Sequence, residues 1–385
     1  MTDSLTSRER LLSAINLEEP DHVPLHITYI GNWTKEIWKT ENEAQIENSR
    51  LDLDPILSLS PPWSFHPDVE VKLEIRNLPF EKYPILIKTY DTPKGRLRQV
   101  VVKTPDWPHG DDIPIFSDYL IPPSRSRERL INTRDDLKKL PYILSKPSSD
   151  QIRRFRQEAQ KMRKYAGEKG FLIKGDGGYG ADAAIWLCGF ERVLSAAYKE
   201  PNFVYELLDI IHEWDLMRTK ELLDIGVDVI TRRGWYEGPP FWSPKLYKRF
   251  IEPLIREEVE LVHRAKLKFH YILCTGIAHM LPILTDLDID LFDGLDPVAN
   301  PVDLNVIRKA FKNTCIRGGI SEAVTLTQGG SEDIQKAVKY AIEALAPGGG
   351  LILGPIYSVT TKETWERKVP ILIEAWKKFR DYPFR

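Results

Sequence analysis

Three cysteines in 385 residues, Cys188, Cys274 and Cys315, are too few and too scattered for a disulfide framework, and no C-x-x-C occurs among them. A reducing compartment fits that usage. Long apolar runs are missing as well. Nowhere do 18 consecutive apolar residues occur, and the opening MTDSLTSRERLLSAINLEEPDHVPL lacks the apolar stretch of a signal peptide. The expectation is a cytoplasmic chain without a membrane span. Nor is there an excess of charge of one sign. Lys+Arg of 54 against Asp+Glu of 56 leave −2, so no global field attracts nucleic acid or an anionic membrane, and partners must be recognised locally. What the chain does have, 42% hydrophobic and 29% charged residues, suffices to bury a large core and excludes disorder.

Short apolar segments recur, most followed by a turn and an amphipathic stretch. The strand candidates are 23–28, 54–60, 171–177, 227–233, 267–273, 289–295, 315–321 and 350–356, with helical patterns at 203–225, 244–265, 276–286, 302–311, 332–346 and 362–378. Strand then helix, repeated, implies a parallel sheet with helices outside. The expected fold is α/β, a single-domain (β/α)8 TIM barrel over 1–385. Thr6-x-x-Glu9 and Thr360-x-x-Glu363 read as capping boxes. Residues 64–165 break the rhythm with a hairpin signal around Pro93-Lys94-Gly95, a Pro-rich run and a charged helix near 149–168; they are expected to be an insertion after the second strand that folds over one end of the barrel.

FLIKGDGGYG contains Gly175-x-Gly177-x-x-Gly180, the spelling of a dinucleotide-binding turn. Such a turn needs a second strand ending in an acidic residue about twenty positions on. That place holds Glu200 in YKEPNF, a Pro-containing helix-to-helix turn, so the fingerprint fails in context. At the mouth of the third strand the glycines are expected to clear space for a ligand beside Asp176.

SRERLLSAINLEEPDHVPL, YDTPKGRL, GFERVLSAAYKEPNFVYELLD, LLDIGVDVI, FWSPKLYKRFIEPL, FHYILCTG, IRGGIS and GGGLILGP, in that order, resemble the uroporphyrinogen decarboxylase superfamily, which includes corrinoid-linked methyltransferases. Porphyrinogen decarboxylation in that family implies an Arg-rich segment after the first strand; HITYIGNW stands there instead, with no arginine to clamp propionates. Thiol-directed methyltransferases of the family imply a zinc site of H-x-C on the fifth strand and a cysteine after the eighth. This chain has His270-x-x-x-Cys274 and then Gly354-Pro355-Ile356-Tyr357. Residues i and i+4 of a strand lie about 13 Å apart, too far for one zinc unless the chain bends sharply. The resemblance then implies the other half of corrinoid chemistry, demethylation of a methoxylated, aromatic donor toward Co(I) of a separate corrinoid protein. The alternatives kept open are another methyl donor, a thiol acceptor, or a decarboxylase-like lyase.

A methyl ether expels a poor leaving group, so its oxygen must be protonated or coordinated. Strand C-termini place the candidates. Asp176, Glu237, His270 and Asp293 are the catalytic candidates, and Tyr29, Trp33, Trp63, Trp235, Tyr236 and Tyr357 would form the wall of an aromatic pocket. Cys274, His270 and Glu237 form the one metal set considered, with zinc as the ion. Against these stand bland roles: Asp176 as a helix cap, Glu237 as a loop residue, His270 as a satisfied core histidine, Cys274 as a buried thiol, the aromatics as packing. The assembly is left open, with a homodimer as one expectation.

Overall fold

The apolar segments do line up side by side. A computed structural model describes residues 4–382 apart from 275 and 300. Its strands are β1 (Ile56–Leu59), β2 (Glu70–Arg76), β3 (Ile85–Thr92), β4 (Gly95–Val102), β5 (Ser126–Glu128), β6 (Leu172–Gly178), β7 (Val229–Gly234), β8 (Lys268–Leu273), β9 (Leu291–Leu295), β10 (Cys315–Ser321) and β11 (Leu351–Ile356). A seven-stranded parallel sheet runs β1-β6-β7-β8-β9-β10-β11 and curls with its helices outside, giving a TIM-barrel-like α/β fold. These are the second to eighth expected strands.

The first expected strand, 23–28, is reduced to isolated bridges, Leu25 with Leu353 and Tyr29 with Val359. Pro24 has no N–H to offer a ladder, and side chains take the remaining bonds on the other flank. Asp54 accepts from the Leu25 amide (3.0 Å), and the Asn48 and Gln45 amides donate to the Ile27 carbonyl (3.0 and 2.9 Å). The Asp54 amide in turn donates to the Leu25 carbonyl (2.9 Å), so this segment lies between β11 and the approach to β1. Arg10, bonded to Asp54 (2.7 Å) and Asp21, locks the N-terminal helix Ser7–Ile15 to the same point.

Helix punctuation follows the sequence with local shifts. Thr6 and Glu9 form the expected capping box, but the second start is one residue later, with Thr361 accepting from the Thr364 amide. The expected 244–265 and 362–378 helices each break, at Ile251 and Lys368, beside Pro253 and Pro370, which bring no amide for the preceding turn. The glycines of FLIKGDGGYG do not clear a ligand path. A β-carbon on Gly175, Gly177 or Gly178 would press on Leu222, Thr219 or Asp215 of helix Pro201–Ile225, so these residues admit the helix instead.

Register slips where the strands end. β10 residues Arg317 and Gly318 face Asp293 and Leu295, leaving Gly294 as a bulge; β7 residues Thr231 and Arg232 face Asp176 and Gly178, leaving Gly177 as another. Each bulge directly follows an aspartate, Asp293 or Asp176, that is still paired in the ladder. Between β1 and β6 the chain builds a separate antiparallel sheet, β2-β3-β4-β5, whose β4–β5 connection carries Asp118, which accepts from Trp186 Nε1 (2.9 Å), Tyr236 Oη (2.7 Å) and Arg233 (3.1 Å) at the barrel end.

Gly294 has φ +128°, and a β-carbon there would overlap the Leu273 carbonyl oxygen. Gly294→Ala is expected to lose about 2–4 kcal/mol of stability, read from urea unfolding; an unchanged midpoint would show that the bulge relaxes freely.

Candidate active site

The bulged strand ends open into a cavity of about 370 Å3. A larger depression, about 730 Å3, lies between Arg134, Leu137 and Glu206 on outer helices, away from any strand end and without a buried acid–base cluster. The strand-end cavity is therefore the candidate.

Its floor is a chain of buried polar groups. Arg317 on β10 donates to both Asp293 oxygens (2.9 and 3.0 Å), and His270 on β8 stands between Asp293 (3.3 Å) and Thr231 (3.0 Å). Burial alone would push the Asp293 carboxyl up, but the Arg317 guanidinium and the His270 bond hold it well below the carboxylate range. An ionised Asp293 only accepts, so His270 Nε2 carries the proton. Burial pushes His270 below its ordinary value despite Asp293, which leaves it neutral with Nδ1 accepting from the Thr231 hydroxyl.

His26 also lines the floor. Its Nδ1 must donate to the Asp54 carbonyl (3.0 Å), which leaves Nε2 as an acceptor, and burial together with the Arg317 charge pushes it down to about 3. On the wall, Lys174 of β6 lies 3.6 Å from Asp176 and 4.0 Å from Glu41. Burial works against its charge, but those carboxylates and Asp293 raise it above its ordinary value, so it stays an ammonium. Asp176 accepts from Ser60 Oγ (2.5 Å) and does not cap the next helix; Asp215 takes the Tyr179 and Gly180 amides there.

Trp235 and Tyr357 pack as a tilted ring pair, centroids 5.3 Å apart, along one side of the cavity. Tyr29 also lines it, its hydroxyl committed to Asn48 Oδ1 (2.5 Å). Burial pushes the Tyr357 hydroxyl up, so it is a neutral donor, and burial likewise pushes the Cys274 thiol well above its usual range.

Of the residues singled out in the sequence, Tyr29, Asp176, Trp235, His270, Cys274, Asp293 and Tyr357 line this cavity. Glu237, Trp33, Trp63 and Tyr236 do not. Glu237 is fully buried behind β7, where it accepts from Arg232 (2.6 Å), Tyr271 Oη (2.6 Å) and the Ala181 amide (2.9 Å), so it closes a helix start and an ion pair. Trp33 packs on Tyr29, Trp38 and Trp365 with Nε1 on the Thr360 carbonyl (2.9 Å). Trp63 packs on Phe65, Phe116 and Trp214, and Tyr236 holds Asp118. The set Cys274, His270 and Glu237 does not converge, and among the described residues no three His, Cys, Asp or Glu side chains cluster as metal ligands. With both His270 nitrogens engaged by Asp293 and Thr231, and the Glu237 oxygens by Arg232, Tyr271 and the Ala181 amide behind β7, these residues do not fit zinc.

His26, Lys174 and Arg317 escaped the sequence reading. Each is a lone charged or titratable residue inside an apolar strand run, and that oddity was the available signal.

A family model described as uroporphyrinogen decarboxylase (URO-D) matches residues 125–379. The chain belongs to the uroporphyrinogen decarboxylase family. Among solved structures, the methyltransferase from Methanosarcina mazei is similar at 18% identity and a TM-score of 0.58, covering 98% of this chain and 99% of that one. The B12-independent methionine synthase from Shewanella sp. W3-18-1 matches at 16% identity and a TM-score of 0.43, covering 61% of this chain and 67% of that one. No curated protein matches. At these identities the similarity speaks for the fold.

His26 predicts a pH dependence. Its imidazole is neutral when folded and titrates near 6.5 when unfolded, so stability is complete above pH 6.5 and is lost as pH falls toward 3. His26→Gln is expected to flatten that loss by up to about 1.4 kcal/mol per pH unit, read from urea midpoints at pH 7, 5.5 and 4.5. An equal slope in both proteins would show that His26 is protonated in the fold.

Proposed function

We propose that this URO-D family member is a methyltransferase that demethylates a methoxylated aromatic compound and passes the methyl group to the corrinoid of a separate protein. The observation that carries the reading is the pairing, in one small cavity at the strand ends, of a ring wall (Trp235, Tyr357, Tyr29) with a charged proton donor (Lys174). The family and the similarity to a methyltransferase supply the class of group transferred. A cavity of about 370 Å3 suits a small aromatic ether and does not enclose a whole corrinoid with its side chains, which agrees with a corrinoid carried by a partner that docks at the mouth.

The corrinoid, when bound, supplies a Co(I) nucleophile for the methyl carbon. This chain's task is the departing oxygen. The methyl–oxygen bond breaks with its electron pair on oxygen, and a phenolate of ordinary basicity needs a proton at that moment. Asp293 is ionised, and neutral His270 keeps its proton on Nε2, donated to Asp293, so neither is the acid. Lys174 is the acid in this reading, with Asp176 and Glu41 holding its ammonium in place, while Trp235 and Tyr357 stack the ring. The segment carrying Asp118 serves as the cap, steadying Arg233 and Tyr236 at the rim.

The purified chain, mixed with a Co(I) corrinoid protein and a panel of donors, should give the spectrum of the methylated corrinoid with methoxyarenes. Turnover of methylamines or thioethers and of no methoxyarene would overturn the substrate class; release of carbon dioxide from a porphyrinogen would overturn the reaction.

Lys174→Met should slow demethylation about 100-fold for an ordinary phenol leaving group and much less for a strongly acidic one. Equal losses for both would remove Lys174 from the role of acid.

A further inference from the structure

β2 is the edge of the antiparallel sheet, and all seven of its residues are exposed. Val71, Leu73 and Ile75 share the face of Tyr90, Lys88 and Leu86, their opposites on β3, which are buried against the body of the protein. The apolar face thus runs past its cover. Val71 is 38%, Leu73 41% and Ile75 49% exposed, and Phe80, just beyond the strand, is 100% exposed. An open edge of this kind invites another strand, and natural proteins blunt such edges or use them.

The charges choose the occupant. On the other face stand Glu70, Lys72, Glu74 and Arg76 in alternating sign. When β2 meets a second β2 antiparallel about a two-fold axis at Leu73, Glu70 faces Arg76, Lys72 faces Glu74, Val71 faces Ile75, and Leu73 faces itself. Sliding by two residues either way opposes Glu70 to Glu74 and Lys72 to Lys72, or Lys72 to Arg76 and Glu74 to Glu74. A one-residue slip mixes the faces, and a parallel pairing sets every charge against its like. The present pairs along the strand, Lys72 with Glu70 (3.2 Å) and Arg76 with Glu74 (2.5 Å), are solvent-exposed and contribute little, so exchanging them across the axis costs little.

We infer that the chain dimerises through β2, joining two four-stranded sheets into one continuous sheet about a two-fold axis at Leu73. An isologous contact of this kind closes on itself and leaves the barrel mouths independent.

Light scattering on the full chain should give twice 44.4 kDa at tens of micromolar, with dissociation on dilution. Lys72→Glu opposes Glu74 twice and should weaken the dimer about tenfold or more, while Lys72→Glu with Glu74→Lys should restore it. The three native cysteines are buried, so an added thiol reports alone. Directly opposed residues lie about 4.5–5.5 Å apart at Cα, within disulfide reach. Leu73→Cys should therefore cross-link under mild oxidant, Val71→Cys alone should not, and Val71→Cys with Ile75→Cys should. A wild-type monomer at all concentrations overturns the inference. So does a dimer that Lys72→Glu leaves intact and Leu73→Cys does not link, or a monomer whose corrinoid partner binds at β2.

Discussion

A charge enclosed by a parallel barrel must find its opposite inside, and the placement of Arg317 makes that requirement bind at the centre of this protein. Left unpaired, a buried guanidinium would cost several kcal/mol. Asp293 answers it because the parallel ladder sets the two residues directly opposite each other, one residue before Gly294 bulges out of β9. Once Asp293 is ionised, the proton on His270 is placed, and with it the direction of the Thr231 hydroxyl. Four residues on four adjacent strands are thereby locked in one protonation pattern. β7 separates this network from a second. Thr231 and Arg233 face the cavity, while Arg232 between them faces outward to Glu237 and Glu258. Strand alternation keeps two ionic clusters apart that would otherwise compete for the same carboxylates.

Much of this arrangement could be read from the chain. Apolar runs followed by a turn and an amphipathic stretch placed β1 and β6 to β11 to within a few residues. The segment at 23–28 had the composition of a strand and not the pairing, since Pro24 and the side chains of Gln45, Asn48 and Asp54 supply what a ladder would. Position at a strand end picked out six residues that line the cavity, and strand parity with Cys274 picked out His270. The same rule misplaced Glu237, because it follows β7 by a tight turn that carries it back behind the strand. It also passed over Lys174 and Arg317, which sit deeper, in mid-strand, and His26, in the bridged segment beside β11. Hydrophobic pattern alone treats such residues as blemishes, although a lone charge in a buried strand has to be paired with something. The bulges were illegible for a plainer reason. A single skipped residue is a property of two strands together, and one strand's sequence does not reveal its neighbour's register.

The aromatic residues show how far composition misleads about role. Trp33, Trp63 and Trp235 all follow strands, but the first two finish as packing beneath loops, and only Trp235 faces the cavity with Tyr357. A tryptophan's large area is equally useful for sealing a loop and for holding a ring, and what distinguishes the two is whether a backbone carbonyl or open space lies next to it.

Asp118 carries a consequence for how this chain can change. It belongs to the connection between β4 and β5 of the small sheet, yet it accepts from Trp186 on the helix Gly180–Cys188 and from Arg233 and Tyr236 at the end of β7. The small sheet is therefore no detachable module. Deleting it, or grafting it onto a related barrel, would strip Arg233 of an anion and two aromatic residues of their anchor, so the two parts of the chain can be inherited and altered only together.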